Sequence, residues 1–133
     1  MKIIKNFTPC VTIVTACSIL FSISGLAQKP AKLSDAEIAS VAVVANRVDI
    51  GYASIAEKKS KNAEILQFAK TMAADHKSVI NQAVALVKKL GVTPKDNALS
   101  KKLSSDGEIT KKTLAAKSGT DFNKSYINNE VAY

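Results

Sequence analysis

Asn62-Ala63-Glu64-Ile65-Leu66-Gln67-Phe68-Ala69-Lys70-Thr71-Met72-Ala73-Ala74-Asp75-His76 is the stretch on which the fold turns. Ile65, Ala69, Met72 and His76 recur at steps of four, three and four, the spacing that places side chains on one face of an α-helix. The stripe continues through Val79, Ala83, Leu86 and Leu90 as far as Gly91, a helix-terminating residue. Upstream, Ser34-Asp35-Ala36-Glu37 reads as a capping box: the Ser hydroxyl accepts from a free backbone N–H and Glu37 reaches back to the cap. Behind it Ile38, Val41, Ala45, Val48, Tyr52 and Ile55 form a second apolar seam, sustained to about Lys59. Only a few residues around Ser60-Lys61 separate the two seams. The two helices are therefore predicted to pack as an antiparallel hairpin.

Downstream the signals weaken. Gly91 to Asn97 reads as a loop, with Pro94 and Asp96 suited to a turn. A third helix is predicted over Ala98–Lys117 on an imperfect stripe of Leu99, Leu103, Ile109 and Leu114. Gly107 lies in its middle and costs about 1 kcal/mol relative to Ala. Ser118-Gly119 ends that helix, and Thr120 or Asp121 is expected to cap a last one, in which Phe122, Tyr126, Asn129 and Tyr133 share a face. No strand pattern and no repeat is visible, so residues 34–133 read as one all-α antiparallel helix bundle. Tyr133 falls mid-pattern with no stop signal behind it, and the bundle is expected to be incomplete at its C-terminus.

The first 27 residues read differently. Lys2 and Lys5 precede a mostly apolar run from Phe7 to Ile23, then Ser24-Gly25-Leu26-Ala27. That order describes a secretory signal cut after Ala27, with residues 28–33 as a short linker. Two competing readings carry less weight. A membrane span needs about 20 apolar residues, and the run is shorter and diluted by Pro9. A lipid anchor at Cys17, within Val14-Thr15-Ala16-Cys17, is followed by Ile19-Leu20-Phe21 where a polar turn is usual. Both cysteines, Cys10 and Cys17, lie inside the signal, so the mature chain has neither disulfides nor thiolate ligands to help it fold. Export implies a periplasmic or outer-membrane-associated protein.

The formal net charge is +8, and loss of Lys2 and Lys5 leaves +6. The lysines come largely as pairs near helix ends, with Arg47 the only arginine and little aromatic interleaving. A nucleic-acid binder concentrates Arg and Lys on one face with aromatics to stack bases. The expected partners are therefore an envelope surface or another protein, with no nucleic acid among them.

One polar cluster carries chemistry. His76, the single His, sits inside the apolar seam. With the turn centred near 60–61, Asn46 faces His76 across the hairpin, and Asp49 lies about 4.5 Å further along the first helix. Asn46, Asp49, Asp75 and His76 are thus expected at one level, and a further helix carrying Glu130 adds a carboxylate. The favoured reading is structural: a buried His76 whose ring nitrogens are satisfied by Asn46 and Asp49, a polar pin that sets helix register. The alternative is functional, a pH-sensitive pair or a metal site of Asp49, Asp75, His76 and Glu130, since imidazole and carboxylates suit a divalent metal ion. Di-iron chemistry fits poorly, because Ala73 stands three residues before His76 where such sites place Glu. Zincin and nucleophilic-triad motifs are missing too, and catalysis is not expected.

Several stretches resemble a family of exported bacterial proteins. They are Leu33 to Ile38, Ala45 to Ile50, Phe68 to His76, Leu90 to Pro94, and Gly119 to Tyr126 with Asn129 to Tyr133. The chain is similar to the domain of unknown function 4142, a group often labelled outer-membrane proteins. That resemblance implies a ferritin-like four-helix architecture and an envelope location, without a known reaction. It matches Asp75 and His76 to an Asp-His motif and Glu130 to the acid of the last motif. Family members place a His just after the position of Tyr133. The expected function is a non-enzymatic helical bundle that binds a divalent metal weakly or serves as an envelope-stress module. The alternatives are a ferritin-like oxidoreductase or metal-storage protein, and a purely structural or interaction bundle.

Overall fold

The computed structural model describes residues 32–132, and the predicted secretory signal and most of the predicted linker lie outside them. Four helices follow in order: α1 (Asp35–Lys59), α2 (Ala63–Leu90), α3 (Ala98–Ala115) and α4 (Gly119–Ala132). No strand occurs among the described residues. The protein is an all-α helical bundle.

Local chemistry sets the helix ends where the sequence placed them. The Ser34 hydroxyl accepts from Glu37 N–H while Glu37 accepts from the Ser34 backbone, completing the capping box of α1. Asn62 caps α2 by accepting from the Glu64 and Ile65 amides, and Gly91 closes it in the left-handed region at φ 65°. That conformation is inexpensive only without a Cβ. Asn97 caps α3, with Ser100 returning a bond to the cap backbone. The predicted cap of the last helix differs: Ser118 O already accepts from Phe122 N–H, so Thr120 and Asp121 fall inside the first turn of α4. α3 ends two residues earlier than predicted, in a turn closed by Lys117 N–H to Leu114 O.

α1 is the central helix and packs against each of the other three, whereas α2 and α3 barely meet. α2 returns antiparallel to α1, and the 91–97 loop then swings α3 alongside α1. Lys95 N–H donates to Ala36 O, Asn97 Nδ2 donates to Glu37 O, and Ser40 Oγ donates to Asp96 Oδ1 at 2.6 Å, which together pin that loop to the first turns of α1. Higher up, α3 lies so close that a Cβ on Gly107 would stand 2.7 Å from Val48 Cγ2. Gly107, predicted only as a helix-weakening residue, is thus the contact that lets α1 and α3 approach. α4 descends from the hairpin end, where Ser60 Oγ donates to Asn123 Oδ1 at 2.8 Å.

The core gathers at the α4 end: Val48, Tyr52, Ala53, Ala56, Ala69, Leu114, Phe122 and Tyr126 are buried together. The Phe122 and Tyr126 rings stack at 6.1 Å, and Phe68 meets Tyr126 edge-on. Two predicted seams are buried over only part of their length. Ile38 of α1 and Val79, Leu86 and Leu90 of α2 are exposed, because α4 spans only about 21 Å (14 residues) beside an α2 of about 42 Å (28 residues). α1 is the described helix long and apolar enough to cross a bilayer, but its three packed neighbours are those of a bundle's inner helix.

Candidate functional site

The polar cluster assembles halfway along the bundle, at the level where α4 reaches α1 and α2. Asn46 is held by its own helix, since its Nδ2 donates to Ala42 O at 2.7 Å. That turns its Oδ1 toward α2, where His76 Nδ1 lies at 2.8 Å. An amide oxygen only accepts, so the neutral imidazole carries its proton on Nδ1 and leaves the Nε2 lone pair free. Asp49 Oδ2 stands 3.7 Å from the same Nδ1, too long for a hydrogen bond but close enough for an ion pair when the imidazole is protonated. Asp49 is itself buried. Burial raises its carboxyl above the usual range, and the neighbouring His76 partly offsets this.

α4 contributes the second carboxylate and two groups that the sequence reading put on one face of the helix but not in the site. Asn129 and Glu130 follow Tyr126 by three and four positions, which places them beside it on the inner face. Tyr126 OH, Asn129 Nδ2 and Glu130 Oε1 are all buried without a hydrogen-bond partner. Glu130 is pushed up to about 7, first by burial and then by the negative field of Asp49, with a nearby Asn129 easing it slightly. Burial, followed by Glu130, raises the Tyr126 phenol, and burial also raises Tyr52. These phenols stay protonated and can act as donors. The recognisable signal for this face was a Tyr and an Asn at core positions of an otherwise polar helix.

Of the predicted site residues, the structure therefore brings together Asn46, Asp49 and His76, and sets Glu130 within electrostatic reach of Asp49. Asp75 is exposed, one position round the helix from His76, and takes no part in these contacts. Among the described residues no three His, Cys, Asp or Glu side chains are placed to hold one metal ion. The geometry of His76 gives a reason. Its Nδ1 faces Asn46 and Asp49, so the nitrogen free to ligate is on the opposite side of the ring from the nearest carboxylate. As arranged, the residues do not fit a multi-ligand metal centre.

The four helices also carry the sequence stretches noted above, and the model of a domain of unknown function matches residues 22–133. The chain belongs to the DUF4142 family. No curated protein and no solved structure matches this DUF4142 chain.

Proposed function

We propose that this DUF4142 protein is an exported, non-enzymatic binding module of the bacterial envelope, in which the Asn46–His76 pair pins the α1–α2 register. The observation that carries the reading is the 2.8 Å contact of His76 Nδ1 with an Asn46 side chain itself fixed to Ala42 O. It commits the only imidazole of the chain to joining two helices. The basic start and apolar run of residues 1–27 support export, and a basic surface suits anionic envelope components.

Weak divalent-metal binding is the second reading, and one observation favours it. Glu130 Oε1 is a buried oxygen with no hydrogen-bond partner, on the side of the bundle that Asp49 occupies. A hard cation with several retained waters needs only one or two carboxylates. A ferritin-like redox or storage role would require more ligands than these residues provide.

Metal content and affinity of the protein purified without chelator, beside a His76→Ala variant, separate the readings. The register pin predicts no stoichiometric metal in either protein and a variant destabilised by about 1–3 kcal/mol, because Asn46 loses its partly buried hydrogen-bond partner. A stoichiometric metal retained in the variant would support a cation on Asp49 and Glu130, and one that disappears in it would make His76 a ligand instead of a pin. An unchanged melting curve would remove the pin.

A further inference from the structure

We propose that the cleft between the start of α2 and α4 binds a small organic oxyanion, a carboxylate or phosphate group carrying a short apolar chain. The inference does not involve the His76 cluster and stands whether or not that cluster takes a cation. The cleft measures about 400 Å³, and Ile65 of α2 and Ile127 of α4, both half-buried, supply its apolar wall. Asn62, Thr120, Asn123 and Lys124 stand around them.

The hydrogen bonds of the hairpin end fix which atoms these side chains offer. Asn62 Oδ1 accepts from the Glu64 and Ile65 amides at 2.9 and 3.1 Å. Asn123 Oδ1 accepts from Ser60 Oγ at 2.8 Å, and the same Ser60 Oγ accepts from Asn62 N–H at 3.1 Å. Ser60 is buried, so one packed hydroxyl ties the α1–α2 turn to α4 and orients Asn123. With both amide oxygens committed to the frame, each asparagine is left with its NH2 half to offer the cleft. No hydrogen bond among the described residues uses either NH2 group.

That donor set selects the ligand. Lys124 lines the cleft and forms no ion pair among the described residues, and no Asp or Glu lines it. Glu64 and Asp121 lie on the first turns of the same two helices, but both are exposed and neither is part of the wall. Two NH2 groups, the Thr120 hydroxyl and an ammonium leave the ligand to bring acceptors, and an ionised oxygen accepts most strongly. The two isoleucines ask for apolar surface as well, which a bare inorganic ion lacks. Ligand pockets run to about 300–1,000 Å³, and this one is near the small end, so the apolar part is short.

The test is a heteronuclear NMR titration of isotope-labelled protein with hexanoate, hexyl phosphate, acetate, inorganic phosphate and hexylamine, followed at the side-chain NH2 resonances of Asn62 and Asn123. The expected result is a saturable shift of both with hexanoate or hexyl phosphate, about tenfold tighter than with acetate or inorganic phosphate because of the added methylenes. Whichever hexyl probe binds more tightly names the oxyanion. Asn123→Asp keeps an oxygen for Ser60 Oγ but replaces the NH2 group with a negative oxygen, and should weaken binding by about tenfold or more. A circular-dichroism melt checks that this variant folds, and Lys124→Gln, at an exposed position, provides a second lesion. No saturable shift with any anionic probe, hexylamine binding as well as hexanoate, or binding unchanged in both variants would overturn the proposal.

Discussion

Replacing Glu130 with Gln should flatten the fall in stability that this protein shows as pH rises. In the unfolded chain Glu130 ionises near 4.5, whereas in the bundle its carboxyl is pushed up to about 7 by burial and by Asp49. The native state therefore holds a proton that the unfolded state releases. The resulting stabilisation is complete below pH 4.5 and is lost progressively as pH rises through 7. A gap of that size corresponds to a ceiling of about 3.4 kcal/mol at 1.36 kcal/mol for each pH unit. Glu130 is only partly buried, so solvent screening cuts the ceiling roughly by half, to about 1.5–2 kcal/mol. Urea unfolding at half-unit steps between about pH 4.5 and 8 measures it. The wild type should lose that amount across the window relative to Glu130→Gln, and the variant should be the more stable protein at the alkaline end. Asp49 shifts in the same direction, so a smaller slope should survive in the variant. A wild-type minus variant difference independent of pH would refute the placement of Glu130 inside the bundle.

Two further substitutions probe the frame that holds the cluster. Gly107→Ala gains about 1 kcal/mol of helix propensity but drives a methyl to 2.7 and 2.9 Å from the Val48 methyls. Overpacking of that kind costs about 1–3 kcal/mol. A net loss of about 1 kcal/mol in thermal melts is expected, relieved when Val48→Ala is added, whereas a stabilised single variant would show that α1 and α3 do not pack this closely. Asn62→Ala removes the acceptor for the Glu64 and Ile65 amides. It should cost about 1 kcal/mol by urea unfolding, with no change if the start of α2 is frayed.

The hairpin and the heart of the cluster were legible because they depend on local rules. A capping box, a good N-cap at Asn62 and a terminating Gly91 bracket two regular seams, and counting outward from a short turn pairs Asn46 with His76. What counting could not supply was the third dimension. Gly107 reads as a helix weakener until Val48 is seen against it, since close approach depends on a partner 59 positions away (107 minus 48). The lower seams of α1 and α2 look as apolar as the upper ones, and periodicity cannot say whether another helix covers them. Asp75 follows the same logic: adjacency to His76 in sequence is a rotation of about 100° on a helix, which turns it to solvent. Tyr126 and Asn129 were read as sharing a face, but their unpartnered polar atoms emerge only where α4 meets Asp49.

The placement of α1 also governs how the molecule comes apart. Because α2 and α3 barely touch, each is held chiefly through α1. α3 can detach while the α1–α2 hairpin stays joined, and α2 can loosen at its Leu90 end while α3 stays in place. α1 cannot leave without releasing both α2 and α3 from their main partner. Opening should therefore be graded rather than all-or-none, with backbone amides of α1 exchanging last and only through global unfolding, and those at the far end of α2 exchanging through small excursions.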